Sequence, residues 1–376
     1  MNTIQLVKKL ISFKSVTPKD DGAIVFLSNT LKKYGFHCTV LEFGEKKQKI
    51  RNLYAYLKNG DGPHLCFGGH TDVVPPGDNK KWKTDPFSAK IINGFIYGRG
   101  IVDMKGSIAA FYTAVLNLKK KFNGTISFII TGDEEGEAEF GTKKVLQWLK
   151  KKKIKINFCI VGEPTNPNFL GEMIKIGRRG SLNGVLSVKG KQGHVAYPEE
   201  AKNPIPSLVK YCQKLIEPFN DKNDFFQNSN IEITSIDVRN NITNLIPSSG
   251  RVLFNARFNN SLNSKQLINL IKKRLDLVGN NYIVDFKVSG EPFHNCSREF
   301  TDILTKAIYT ITKKKPQLST NGGTSDARFI SKFCPVVEFG LIGKTMHQIN
   351  EKVRVKDIEN LAKIYENFLR FYFKLI

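Results

Sequence analysis

The chain has 376 residues, 40% hydrophobic and 11% aromatic, a composition that supports a buried core and room for two domains and excludes a disordered protein. No apolar run is long enough to span a bilayer, and the first ten residues read as an amphipathic helix instead of a signal peptide, so a cytoplasmic protein with no membrane partner is expected. The formal charge of +24 keeps a basic nucleic-acid-binding protein open as a competitor.

The charge distribution argues against that competitor. Lysines gather in runs at 150–153 and 313–315, next to expected helix ends and strand starts, with no interleaved aromatics and no helix-turn-helix pattern. A solvated basic face that helps to attract an anionic substrate is the expected reading, with no nucleic acid as partner. The six cysteines, Cys38, Cys66, Cys159, Cys212, Cys296 and Cys334, stand singly and mostly among apolar neighbours. They read as core filler, since neither a disulfide framework nor a Cys-x-x-Cys zinc site is present.

Apolar periodicity predicts helices over 3–13 and 22–34 and strands over 37–43 and 52–57. The next apolar run, from His64, suits a buried parallel strand that ends near His70, because Pro75-Pro76-Gly77 stops regular structure. Ligands bind at the carboxyl edge of such strands. Residues i and i+2 of extended chain face the same way, so the Asp72 carboxylate is expected to orient the His70 ring, as behind a metal ligand. Asp103 falls where a loop meets a helix over 107–122. A strand over 125–131 runs into Asp133-Glu134-Glu135, and after a helix over 141–152 a strand over 157–161 runs into Gly162-Glu163.

From about 180 to 289 the order becomes strand (181–189), helix (204–217), strands (231–238 and 250–258), helix (263–276) and strand (282–288). That βαββαβ order is ferredoxin-like and reads as a domain inserted over 180–289 into an α/β domain made of 1–179 and 290–376. The chain then continues with a helix over 298–313, Gly322-Gly323-Thr324-Ser325-Asp326 before a short helix, a strand over 335–339, His347 and a last helix over 356–373.

His70, Asp103, Glu135, Glu163 and His347 are nitrogen and oxygen donors at expected strand ends or loops, the kind that divalent metals take. Taken singly, each is more often structural or solvated, and Glu134-Glu135 suits the acidic start of a helix as well. Their recurrence at one edge of the sheet, in a chain otherwise poor in acid, favours a metal site. Together with Gly69-His70-Thr71-Asp72, Tyr97-Gly98-Arg99-Gly100, Asp103-Met104-Lys105-Gly106, Asp133-Glu134-Glu135-Gly136, Gly162-Glu163-Pro164-Thr165 and His347-Gln348-Ile349-Asn350-Glu351, the pattern resembles the dinuclear zinc aminoacylase and carboxypeptidase family. Gly177-Arg178-Arg179-Gly180-Ser181, Gly193-His194-Val195-Ala196-Tyr197-Pro198 and the 322–329 segment resemble its branch that removes succinate from an N-succinyl diamino diacid.

The resemblance implies an α/β zinc-peptidase-like domain with a mixed sheet flanked by helices, an inserted dimerisation domain, and a homodimer. It implies two zinc ions per chain, with cobalt as a substitute. Asp103 would bridge them, His70 and Glu163 would hold one, and Glu135 and His347 the other. Glu134 would be the general base. His194 would stabilise the oxyanion across the dimer, although a plain loop histidine is the alternative. Arg178 and Arg257 are candidates for the substrate carboxylates, with Ser181, Asn244, Gly323, Thr324 and Ser325 as neutral donors; Arg179 and Arg328 read equally well as structural. The nearest rival is a deacylase of the same family, such as an acetylornithine deacetylase, or a dipeptidase.

Overall fold

The computed structural model describes residues 1–45, 48–119, 121–295 and 297–375. Chain contacts divide it into a larger unit, Met1–Ile176 with Asn295–Ser319 and Ser325–Ile376, and a second unit, Gly177–His294 with Thr320–Thr324. The second unit overlaps the insertion expected over 180–289, and it also includes the stretch 320–324 that the sequence reading left in the first part.

In chain order the larger unit opens with α1 (Thr3–Ser12), α2 (Ala23–Lys32), β1 (His37–Glu45), β2 (Gln48–Asn59), β3 (His64–His70), α3 (Gly106–Asn117), β4 (Gly124–Thr131), α4 (Thr142–Lys151), β5 (Phe158–Val161) and β6 (Met173–Lys175). The second unit holds β7 (Gly180–Lys189), α5 (Ile205–Leu215), β8 (Asn230–Asp237), β9 (Ser249–Phe258), α6 (Ser264–Asp276) and β10 (Ile283–Gly290). The chain returns with α7 (Arg298–Thr312), β11 (Gln317–Ser319), α8 (Ala327–Ile330), β12 (Val336–Glu338) and α9 (Val355–Tyr372).

The larger unit is built on a mixed eight-stranded sheet in the order β1-β2-β4-β3-β5-β12-β6-β11. Its centre, β4-β3-β5-β12, is parallel, and its β1-β2-β4 flank is antiparallel. Parallel strands are covered on both faces and so read as continuous apolar runs; all four residues of β5, Phe-Cys-Ile-Val, are buried. Register then aligns the strand ends. His70 pairs with Thr131, and Gly68 pairs with Val161, so the chain leaves β3, β4 and β5 at one edge and runs straight into Asp72, Glu134-Glu135 and Glu163.

The helices hold this edge in place from behind. In α1 the Asn2 side chain caps Gln5 N–H and the Gln5 side chain takes Asn2 N–H, while Leu6, Val7, Leu10 and Ile11 are buried. Phe67 of β3 stacks on Phe111 of α3 at 4.4 Å, and Tyr365 of α9 meets the Phe111 ring edge-on at 5.4 Å. Each ring, fully buried, contributes about 1.5–3 kcal/mol. Gly162 is squeezed into the same packing: a Cβ there would lie 2.6 Å from Phe67 Cζ and 2.7 Å from Met104 Cε. Gly162→Ala should therefore cost about 1–3 kcal/mol, read as a lower urea midpoint; an unchanged midpoint would mean that the loop carrying Glu163 has slack.

The second unit has the βαββαβ order, with a four-stranded antiparallel sheet β8-β9-β7-β10. Leu208 and Leu215 of α5 and Leu267, Ile271 and Leu275 of α6 are buried with Leu182 and Leu186 of β7. Among the described residues, no helix is long and apolar enough to cross a membrane. Cys66, Cys159, Cys212 and Cys334 are buried free thiols and Cys38 is partly buried; Cys296 lies outside the described residues.

Candidate metal centre

The ends of β3, β4 and β5, with the turn before α3 and the loop of His347, bring five of the expected donors together in the larger unit. His70, Asp103 and Glu163 offer ligand atoms within 4.8 Å of one another, as do Asp103, Glu135 and His347, and so do His70, Glu134 and Glu135. Asp103 is shared. Its Oδ1 lies 3.0 Å from His70 Nε2 and its Oδ2 lies 3.3 Å from His347 Nε2. Glu163 Oε1 is 3.8 Å from His70 Nε2, and Glu135 Oε1 is 2.8 Å from His347 Nε2. His70, Asp103 and Glu163 are buried, whereas the His347 side chain is 42% exposed and forms the open side.

Asp103 lies in a kinked turn just before α3, with non-helical backbone (φ −121°, ψ 95°), and its peptide bond to Met104 is cis. Beneath it Lys105 Nζ, fully buried, donates to Phe13 O and to Ser15 Oγ, and Ser15 Oγ donates to Thr71 O. The Asp103 and His70 segments are thus tied together through the chain after α1.

Asp72 departs from its expected contact. His70 Nδ1 meets the main-chain carbonyl of Asp72 at 3.0 Å, and the nearer carboxylate oxygen is 3.6 Å away. The strand ends at His70, so the alternation that aims residues i and i+2 the same way no longer applies. The carboxylate instead accepts the N–H of Glu134 at 3.2 Å and of Glu135 at 2.9 Å. It therefore fixes the acidic loop, while its own backbone fixes the imidazole.

The electrostatics show a site that calls for cations. Burial, together with the charges of Asp326, Asp103 and Glu135, holds the Glu134 carboxyl well above the usual range, against the pull of His70. Burial, then Asp103 and Glu134, does the same to Glu163. Hydrogen bonds to Asp103 and Glu135 push the His347 imidazole up to about 10. Among the described residues, no lysine or arginine pairs with Asp103, Glu134, Glu135 or Glu163, and Glu163 Oε1 is buried without a hydrogen-bond partner. Imidazole nitrogens and carboxylate oxygens at these spacings, with no lysine or arginine among them in the described residues, fit divalent metal ions.

Other expected residues lie in the second unit. Ser181 on β7 pairs in register with Arg257 on β9, and Asn255 Nδ2 donates to Ser181 Oγ at 3.2 Å. Arg257 Nη1 is buried without a partner, and burial and the neighbouring Arg179 lower its pKa. Arg178 is buried, so close to Gly322 that a Cβ there would lie 2.5 Å from its Nη1. Gly323 is exposed and Thr324 partly buried in the 320–324 stretch. His194 is an exposed residue in a two-residue strand whose Nδ1 accepts Ala196 N–H, and Asn244 O accepts Val195 N–H. Arg179 bonds Asn228 O and the Asn230 side chain. In the larger unit, Ser325 is buried with its hydroxyl donated to Glu338, and Arg328 Nη1 donates to Ser325 O.

Two residues at the centre lie in motifs singled out from the sequence but have no role assigned there. Asp326 is a buried carboxylate whose charge acts on Glu134, and Glu351 is fully buried in an ion pair with Arg99. Asp326 has one sequence signal, an acid after Gly322-Gly323-Thr324-Ser325; Glu351, between Asn350 and Lys352, has none of its own.

The sequence model of peptidase family M20/M25/M40 matches residues 66–370. Proteins called succinyl-diaminopimelate desuccinylase are similar throughout: that of Ehrlichia canis is 49% identical over 100% of this chain and 99% of its own, and that of Pelagibacter ubique 50% over 99% of each. An M20 family metallo-carboxypeptidase from Sulfolobus solfataricus superposes with a TM-score of 0.82 at 19% identity, over 99% of both chains. A dinuclear metal binding peptidase of the M20 family from Bacillus subtilis does so at 0.71 and 15%, over 100% of this chain and 98% of that one. The fold, the order of the motifs and full-length identity near one half agree, and the chain belongs to peptidase family M20/M25/M40.

Proposed function

We propose that this protein is a metal-dependent amidohydrolase that cleaves N-succinyl-LL-2,6-diaminopimelate to succinate and LL-2,6-diaminopimelate, in the biosynthesis of lysine and meso-diaminopimelate. The observation that carries the chemistry is Asp103, one carboxylate placed between two histidines with Glu134 beside them. The relatives' shared name supports the substrate.

In this reading His70 and Glu163 would hold one zinc ion, Glu135 and His347 the other, and Asp103 would serve both; cobalt would substitute. Ions there would polarise the amide carbonyl and make water more acidic. Glu134 accepts a proton from the attacking water as its oxygen bonds to the amide carbon, and it returns that proton to the nitrogen as the C–N bond breaks. Asp72 serves by holding the loop of Glu134 and Glu135 by its backbone.

Arg178 and Arg257 are proposed to pair with substrate carboxylates, with Ser181, Asn244, Gly323, Thr324 and Ser325 as neutral donors. The unpartnered Arg257 Nη1 supports this, since a buried guanidinium N–H is costly without an acceptor. Ser325 would act through its backbone, because Glu338 takes its hydroxyl. His194 is proposed to stabilise the oxyanion from the partner subunit of a homodimer. Exposed apolar residues on the second unit, among them Val195, Tyr197, Ile236 and Ile242, support a covered face.

The test compares succinylated with acetylated diamino acid substrates. The succinyl compound should be preferred by about 10⁴-fold in kcat/KM, the scale expected when a site built to pair with a polar group meets a ligand without one. Preference for the acetyl compound would replace this reading with that of an acetylornithine-type deacetylase.

A further inference from the structure

We infer that Arg99 and Glu351 are positioning residues that lock the loops of His70, Asp103 and His347 into one frame, and so set the affinity of the Asp103–Glu135–His347 group for its metal. The inference rests on the proposed metal centre and concerns residues to which that proposal gives no part.

The pair is buried beneath the open side of the site, with side chains 2% and 0% exposed. Glu351 spends both carboxylate oxygens on the turn that leads to Asp103. Its Oε2 accepts Arg99 Nη1 at 2.7 Å and Gly100 N–H at 3.1 Å, and its Oε1 accepts Val102 N–H at 2.8 Å. The turn is shaped for this grip: Gly100 has φ +80°, and a Cβ there would lie 2.4 Å from Val73 Cγ1. Glu351 O also accepts Gly98 N–H at 3.0 Å.

Arg99 spans the remaining loops. Its Nη2 donates to His347 O at 3.2 Å and to Pro75 O at 3.3 Å, just beyond the His70–Asp72 segment. Trp82 covers the guanidinium at 5.4 Å, and the Trp82 Nε1 donates to Pro76 O. One guanidinium and one carboxylate thus connect segments more than 240 positions apart in the chain. His70 also has β3 behind it, and Asp103 has the Lys105 tie, whereas His347 sits at φ +61° in a loop. His347 is therefore the ligand that depends most on the pair. A lysine in place of Arg99 would keep the charge but lose the fork that reaches two carbonyls and a carboxylate.

The experiment measures zinc affinity by competition with a chromophoric chelator, with circular dichroism as the check on fold. The variants are Glu351→Gln, which turns one acceptor edge into a donor facing backbone N–H groups, and Arg99→Lys. The expected result is one site unchanged and the other weakened by about 10- to 100-fold, the range seen when residues behind metal ligands are altered, with kcat falling more than KM changes. Two folded variants that hold both ions as tightly as the wild type would overturn the inference. If Glu351→Gln does not fold, Arg99→Lys decides, and loss of fold in both also overturns it, since the pair would then be a general scaffold. A wild type that binds no second ion refutes the metal centre itself, which separates that failure from failure of the positioning role.

Discussion

Glu134→Gln should keep both metal ions and lose about 10²- to 10⁴-fold in kcat, the usual contribution of a positioned proton-transfer group. The amide has the shape of the carboxylate and can keep the backbone bond from Glu134 N–H to Asp72 Oδ1. It cannot take up a proton and give it back. The environment explains why this residue suits the task. Without ions, burial and the neighbouring Asp326, Asp103 and Glu135 charges raise the Glu134 pKa, and bound cations would lower it again toward a range where it can take up and return a proton. Glu135, one position on, is bound to His347 at 2.8 Å and so is committed as a ligand in the proposed centre. Elemental analysis of the variant and steady-state turnover together check the assignment. Turnover within tenfold of the wild type, with the metals retained, would place the base elsewhere.

Most of the long elements were legible because they carry a clear period and stops. The helix expected over 298–313 runs over Arg298–Thr312, and the strand expected over 250–258 runs over Ser249–Phe258. The strands Met173–Lys175 and Gln317–Ser319 escaped, because three residues hold no period and their pairing partners are far off in sequence. The same limit applies at the site. His70 and Glu163 could be placed because a strand end is a local property, whereas the direction of the Asp72 carboxylate, two residues beyond β3, depends on the backbone N–H groups of Glu134 and Glu135, which come from a distant segment. Arg99 and Glu351 lie within segments that the sequence singled out, yet their pairing exists only once the Lys352–Arg354 strand is laid against Phe95–Tyr97.

Asp103→Ala should be more damaging than loss of any other proposed ligand, because its two carboxylate oxygens each meet a different histidine. Its two oxygens lie 3.0 Å from His70 Nε2 and 3.3 Å from His347 Nε2. Without them, the His70–Glu163 and Glu135–His347 pairs each retain two donors, fewer than the three or four protein ligands that hold zinc in known sites. His70→Ala, by contrast, should release one ion and leave Asp103, Glu135 and His347 together. Asp103→Ala is therefore expected to bind well under one ion per chain by elemental analysis and to show no measurable hydrolysis. Thermal unfolding gives an independent reading. Zinc at about 100 times its dissociation constant should stabilise the wild type by about 2.7 kcal/mol per site and raise Tm. It should leave the Tm of Asp103→Ala unchanged. A variant that still gains Tm from zinc and still carries two ions would mean that Asp103 neighbours the metals without joining them, and the single carboxylate between two histidines would lose its proposed role.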